Sequence, residues 1–198
     1  MHISEGVLSA PVLVTGALLT AGGTAIGLKK LDFEKIAQAG ILSSAFFVAS
    51  LIHVNIGPSS THLILNGILG LILGWAAFPV ILVALTLQSL FFQFGGITSL
   101  GVNTFNMAFP SVLCFYLFRY VIVHKKSMTT IAAFACGFLS VFGVAVLLGG
   151  SLYLTEQNFW EISSFIVMIN FPVMIIEGII TAFCVRFIQK VSPEMFQL

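Results

Sequence analysis

MTTIAAFACGFLSVFGVAVLLGG, residues 128–150, carries no charged side chain from end to end. A helix crossing a hydrocarbon core about 30 Å thick needs about 20 apolar residues, and this stretch supplies them. It is bounded by VHKKS at 123–127 and LTEQNFWE at 154–161. Working outward, six further apolar runs appear, so the set reads 7–28, 36–56, 61–75, 77–94, 104–124, 128–150 and 161–189. The remaining breaks are KKLDFEK, NIGPSS, AAF and FGGITSLGVN. The expected fold is an all-α membrane protein of about seven transmembrane helices, with residues 1–198 forming a single integral membrane domain.

Composition excludes the alternatives. Of the 198 residues 59% are hydrophobic and 8% charged, against about 25% charged in an ordinary soluble domain. So few charges cannot clothe a water-facing surface. No basic cluster with interleaved aromatics is present, which argues against nucleic acid. Cys114, Cys136 and Cys184 lie far apart inside apolar runs, without a CxxC pair, and read as small apolar helix residues.

The eight basic residues orient the chain. Lys29, Lys30 and Lys35 fall between runs one and two, and Arg119, Lys125 and Lys126 around the break between runs five and six. Arg186 and Lys190 fall at the C-terminal end. With seven crossings all eight lie on one side, which the positive-inside rule makes cytoplasmic. The N-terminus is then outside and the C-terminus inside. No basic residue precedes the first apolar run, as a secretory signal requires, so the expected mature start is Met1-His2.

Polar residues gather toward the outer side: His2, Glu5, His53, Ser59, Ser60, Thr61, His62, Asn66, Gln93, Asn103, Asn106 and Asn170. Such residues in a membrane segment mark a substrate path or tie helices together. Run three is short, about 22 Å at 1.5 Å per residue, and follows Gly57-Pro58-Ser59-Ser60. Non-helical backbone at membrane depth is tolerated only beside protein or a wet cavity. His62 is therefore expected at a submerged helix end facing an outer cavity. Glu177, midway along run seven, reads equally well as a helix tie or as a functional carboxyl group.

Met1-His2 offers a chelating pattern. A terminal amine, the amide nitrogen of residue 2 and the His2 ring close fused chelate rings, and one further imidazole completes a plane of four nitrogens. Such a plane suits Ni(II) or Cu(II), and low-spin Co(II) accepts the same field. His62 is the natural fourth donor. Imidazole binds when neutral, so affinity is expected to fall in acid.

Four segments carry a family resemblance: MHISEG at 1–6, SSTHLILNGILG at 59–70, FGGITSLGVNTFNMAFP at 94–110 and IEG at 176–178. They resemble the CbiM/NikM family, the substrate-binding (S) components of energy-coupling factor transporters for cobalt and nickel. The resemblance implies a planar metal site from the Met1 amine, the His2 amide and ring, and the His62 ring. It does not carry His53 as a ligand. Ser60, Asn66, Asn103 and Asn106 become expected outer supports or cavity wall. It further implies a transmembrane coupling (T) subunit, paired ABC ATPases and a small auxiliary membrane protein as partners in the cell (inner or plasma) membrane. No cofactor is expected, and Co2+ is the expected cargo, with Ni2+ the alternative. The chain has no GxxxxGK[ST] for ATP hydrolysis and is not expected to be an enzyme.

Two other readings compete with this one. An intramembrane hydrolase built on Ser59, Ser60 and a histidine lacks an orienting third group. An S component for an organic vitamin, or a passive channel, would be told apart by titrating metals against a vitamin panel. Small residues on run one, Ala17, Ala21 and Ala25 beside Gly23 and Gly27, serve either subunit docking or packing within the molecule.

Overall fold

A computed structural model describes residues 2–56, 59–156 and 160–196. Among them are seven α-helices: α1 Ala10–Lys29, α2 Ile36–Ala49, α3 Asn66–Leu73, α4 Ala77–Phe92, α5 Leu100–His124, α6 Thr129–Thr155 and α7 Trp160–Val191. Single 3-10 turns, Phe33–Lys35, Gly74–Ala76 and Pro193–Phe196, precede α2, join α3 to α4 and follow α7. The chain is an all-helical membrane protein save for one small hairpin. Five stretches are long and apolar enough to cross a bilayer: Ala10–Lys29, Asn66–Phe92, Leu100–His124, Thr129–Thr155 and Phe165–Val191. Asn66–Phe92 is not one unbroken helix, because Gly74 interrupts it at φ 53°, ψ −124°. That left-handed value favours glycine.

The structure revises runs two and three. Run two stops being helical at Ala49, and run three becomes helical only at Asn66. Between them an antiparallel hairpin pairs β1 His53–Ile56 with β2 Ser59–His62, and His53 stands opposite His62. The physical reason lies in HVNI and SSTH. Val, Ile and Thr are stiff at χ1 and fit a pleated ribbon, while Ser and Asn compete with helical hydrogen bonds. Hydropathy averages over this change of backbone. The hairpin tip, Gly57-Pro58, lies outside the described residues.

The core sits where α3, α4, α5 and α6 meet. Phe46, Ile64, Leu69, Phe78, Ile81, Met107, Val141 and Met174 are buried there. The outside is apolar as well: Leu18, Ile41, Phe91, Ile131, Leu154, Met168 and Phe183 are each at least 69% exposed. So much exposed hydrocarbon around a bundle is the surface a lipid solvent covers, and the aqueous equivalent would associate.

Close approaches set the packing. On α1, Gly16, Thr20, Gly23 and Gly27 share the buried face. A Cβ on Gly23 would stand 2.5 Å from the Phe78 ring, and one on Gly27 2.4 Å from the Trp75 carbonyl oxygen. Gly16, Gly23 and Gly27 therefore pack within the molecule, while Ala17, Ala21 and Ala25 remain exposed. On the opposite side, a Cβ on Gly67 would stand 2.8 Å from the Gly137 Cα. A Cβ on Gly137 would stand 2.5 Å from the Glu177 carbonyl oxygen. Helices α3, α6 and α7 thus approach each other beside Glu177.

Candidate metal centre

Residues 2–8 do not join a helix. They run into the protein and are clamped by the loop between α4 and α5 and by the start of α5. Asn103 grips residue 3 from both sides: its Oδ1 accepts the Ile3 N–H at 2.9 Å, and its Nδ2 donates to the Ile3 carbonyl at 3.0 Å. Ser99 Oγ donates to the same carbonyl at 2.8 Å and accepts from Asn103 Nδ2 at 3.2 Å. One donor and one acceptor on a single amide settle the orientation of the Asn103 side chain. Further along, the Glu5 N–H donates to the Gly95 carbonyl at 3.0 Å, and Glu5 Oε1 accepts the Thr98 N–H at 3.1 Å.

Gly95 and Gly96 make room for this clamp. Their φ values are 78° and 136°, which side-chain-bearing residues rarely adopt. A Cβ on Gly95 would stand 2.8 Å from Asn103 Nδ2, and one on Gly96 1.9 Å from Glu5 Cγ.

The clamp carries His2 to His62. Their ring centroids are 4.9 Å apart with planes 18° from parallel. Phe94 lies 6.0 Å from His2, with its plane 17° from parallel. His62 ends β2 and is 3% exposed. Its Nδ1 is 3.0 Å from the Leu63 carbonyl oxygen. A carbonyl only accepts, so Nδ1 carries a proton, and in the neutral ring Nε2 carries the lone pair. A backbone acceptor that fixes tautomer and ring in this way is a common support for a metal-binding histidine.

Past His62 the chain stays irregular for three residues. Leu65, the N-cap of α3, is left-handed at φ 56°, ψ 22°. The fully buried Glu177 reaches over from α7. Its Oε1 accepts the Ile64 N–H, and both its oxygens accept the Leu65 N–H, at 2.9 and 3.1 Å.

The other expected site residues separate. Met1 lies outside the described residues, and so do the side chains of Ser60 and His53. Asn103 supports the His2 segment. Asn66 Nδ2 donates to the Met107 carbonyl at 2.9 Å, tying α3 to α5. Asn106 Nδ2 donates to Ser151 Oγ at 3.2 Å, tying α5 to α6. Among the described residues no group of three or more His, Cys, Asp or Glu side chains converges on a point. The three cysteines are unbridged. Sequence reasoning missed Ser99, Gly95, Gly96 and Glu5 as the clamp, although GG followed by S and N signals a tight turn with side-chain acceptors.

The fold and this pair of histidines define a class: a multi-pass cell membrane protein with an imidazole pair, His62 buried and His2 half-buried, at one end of a helical bundle. The chain belongs to the CbiM family, whose model, described as cobalt uptake substrate-specific transmembrane region, matches residues 2–195. The family is a metal transport component, not an enzyme. A putative metal transport protein of Haemophilus influenzae is 39% identical over 98% of this chain and 96% of its own length. A putative fused nickel transport protein, NikMN, of Archaeoglobus fulgidus is 28% identical over 100% of this chain and 68% of its own length. A crystal structure of a transition metal transporter superposes with a TM-score of 0.84 at 26% identity, over 98% of this chain and 95% of that one.

Proposed function

We propose that this chain is the metal-capturing membrane subunit of an energy-coupling factor importer for cobalt, holding Co2+ in a planar site of four nitrogens. The donors are the Met1 amine, the His2 amide nitrogen, the His2 ring and the His62 ring. The observation that carries this reading is the His2–His62 pair. The two rings are stacked, with centroids 4.9 Å apart and planes 18° from parallel, so the fold brings both imidazoles to one place. The tautomer imposed on His62 by the Leu63 carbonyl supports it further.

The same donors serve nickel, and the naming of a fused relative as a nickel transport protein favours that second reading. Fusion of two parts in that relative also supports a separate partner chain here. We assign the remaining partners as a coupling subunit, docking on the exposed Ala17, Ala21 and Ala25 row, and paired ATPases. In the membrane the chain makes seven crossings, N-terminus outside and C-terminus cytoplasmic, as the one-sided lysines and arginines require.

The test is metal titration of purified protein with a native N-terminus against protein extended by one residue. The native form binds Co2+ and Ni2+ tightly and the extended form does not. Tight binding by the extended protein would remove the amine from the donor set. Accumulation of radioactive Co2+ against Ni2+, in cells supplied with coupling subunit and ATPases, separates the two cargoes.

A further inference from the structure

We propose that Glu177 is the positioning residue of the metal centre: through the backbone of Ile64 and Leu65 it fixes where His62 presents its ring. The inference rests on the reading of His62 as a ligand. Its grounds are geometric.

β2 ends at His62 and α3 starts at Asn66. Residues 63–65 belong to neither; the Leu65 carbonyl accepts the Leu69 N–H at 3.1 Å at the start of α3, but the Ile64 and Leu65 N–H groups lie outside both the ladder and the helix. A segment this short, immediately after a ligand, would let the ring wander unless something else held it. Three contacts supply the restraint. His62 Nδ1 is tied to the Leu63 carbonyl. Asn66 Nδ2 is tied to Met107 on α5. Glu177 takes the two consecutive N–H groups between them. Of these, the Glu177 contact is the one that reaches the irregular residues from another helix. It also compensates the left-handed Leu65, an unfavourable conformation for a side chain branched beyond Cβ and one that persists only when its surroundings impose it.

The position of Glu177 along α7 is set by the close approach of Gly67, Gly137 and Thr181. A Cβ on Gly137 would stand 2.5 Å from the Glu177 carbonyl oxygen and from Thr181 Oγ1. No ion pair involves Glu177 among the described residues. Its carboxyl group instead accepts at the N-terminal end of α3, where negative charge and acceptors are favoured. A displacement of α7 against α3 would therefore be felt at His62 in about the distance of three residues.

The experiment uses full-length protein with a native N-terminus in nanodiscs, loaded with Ni2+ alone. It compares wild type, Glu177→Ala, Glu177→Gln and His62→Ala. Readouts are the ligand-field absorption of bound Ni2+, which reports donor set and planarity, the Kd by chelator competition, and the apo melting temperature. Supporting contacts of this kind typically change metal affinity about 10–100-fold. Glu177→Ala is expected to weaken Kd at least tenfold and to shift the absorption band. Glu177→Gln keeps one acceptor oxygen and is expected to recover part of both. A purely structural role would lower the melting temperature and leave the band and Kd of the folded fraction unchanged. That result overturns the proposal. If Glu177→Ala does not fold, Glu177→Gln decides, and wild-type band and Kd in it likewise overturn it. If His62→Ala binds like wild type, the ligand assignment itself fails, and the positioning role fails with it.

Discussion

The two ends of the bundle are built differently. At the end holding Lys29–Lys35 and Lys125–Thr129, neighbouring helices are joined by short turns closed by backbone contacts, such as the Lys30 N–H to the Ile26 and Gly27 carbonyls, with Thr129 Oγ1 and Gln189 Nε2 donating to the Ile122 carbonyl beside them. At the other end, residues 2–8, 63–65 and 94–99 lie outside helices and strands. They are held by side chains from elsewhere in the chain: Asn103 and Ser99 on Ile3, Glu5 on Thr98, Glu177 on Ile64 and Leu65. Backbone that makes its own hydrogen bonds needs no outside partner, and it offers no nitrogen to a metal. Irregular backbone must be satisfied from outside, and it alone lets the His2 segment and a hairpin end meet. The difference teaches that the proposed metal centre exists where the helical rule is suspended and polar side chains replace it.

The comparison can be broken from either side. The largest effect is expected for His62→Ala, which removes a donor. Titration with Ni2+ or Co2+ should show a loss of more than about 100-fold, beyond the ~10–100-fold typical of outer supports. Next comes Gly96→Ala. Its Cβ would collide with Glu5 at a φ of 136°, so about 1–3 kcal/mol of local strain should loosen the clamp. Lower metal affinity together with a lower melting temperature would show it, and unchanged values would mean the loop is not a rigid support. Asn103→Ala should follow, at roughly tenfold weaker metal binding by chelator competition, because both hydrogen bonds to Ile3 are lost. Asn106→Ala sharpens the contrast. Its partner is Ser151 on α6, so stability should fall by about 0.6 kcal/mol, as for an average interhelical contact, with metal Kd unchanged. A Kd shift there would extend the metal centre into the bundle. Smallest of all should be His53→Ala. It stands opposite His62 in the hairpin, and its loss should leave most of the affinity; a larger loss than for His62→Ala would reverse the choice of ligand.

The polar residues show how much of this was legible. His2, His62 and Asn103 stood out from their types and places. The helices were legible because an apolar run is the same message wherever it lies. The hairpin at 53–62 was not, since four residues of HVNI add to a hydropathy average as readily in a strand as in a helix. Asn66 and Asn106 shared the polarity of Asn103 but tie helices. Their distinction depends on which way each side chain faces. Glu177 was visible as a costly residue without a visible purpose. Its partners, the N–H groups of Ile64 and Leu65, lie more than a hundred residues away and belong to backbone that sequence reading took for helix.

By itself the sequence determined that this chain lives in a membrane, which segments avoid water and which end gathers its lysines and arginines. Those properties are sums over composition, and solvent reads them locally. Only the tertiary structure decided that His2 meets His62, that Asn103 holds the segment between and that Glu177 governs the turn beyond. Such pairings depend on distance and direction across the fold. They arise where glycines let helices come close enough for one buried side chain to reach another segment's backbone.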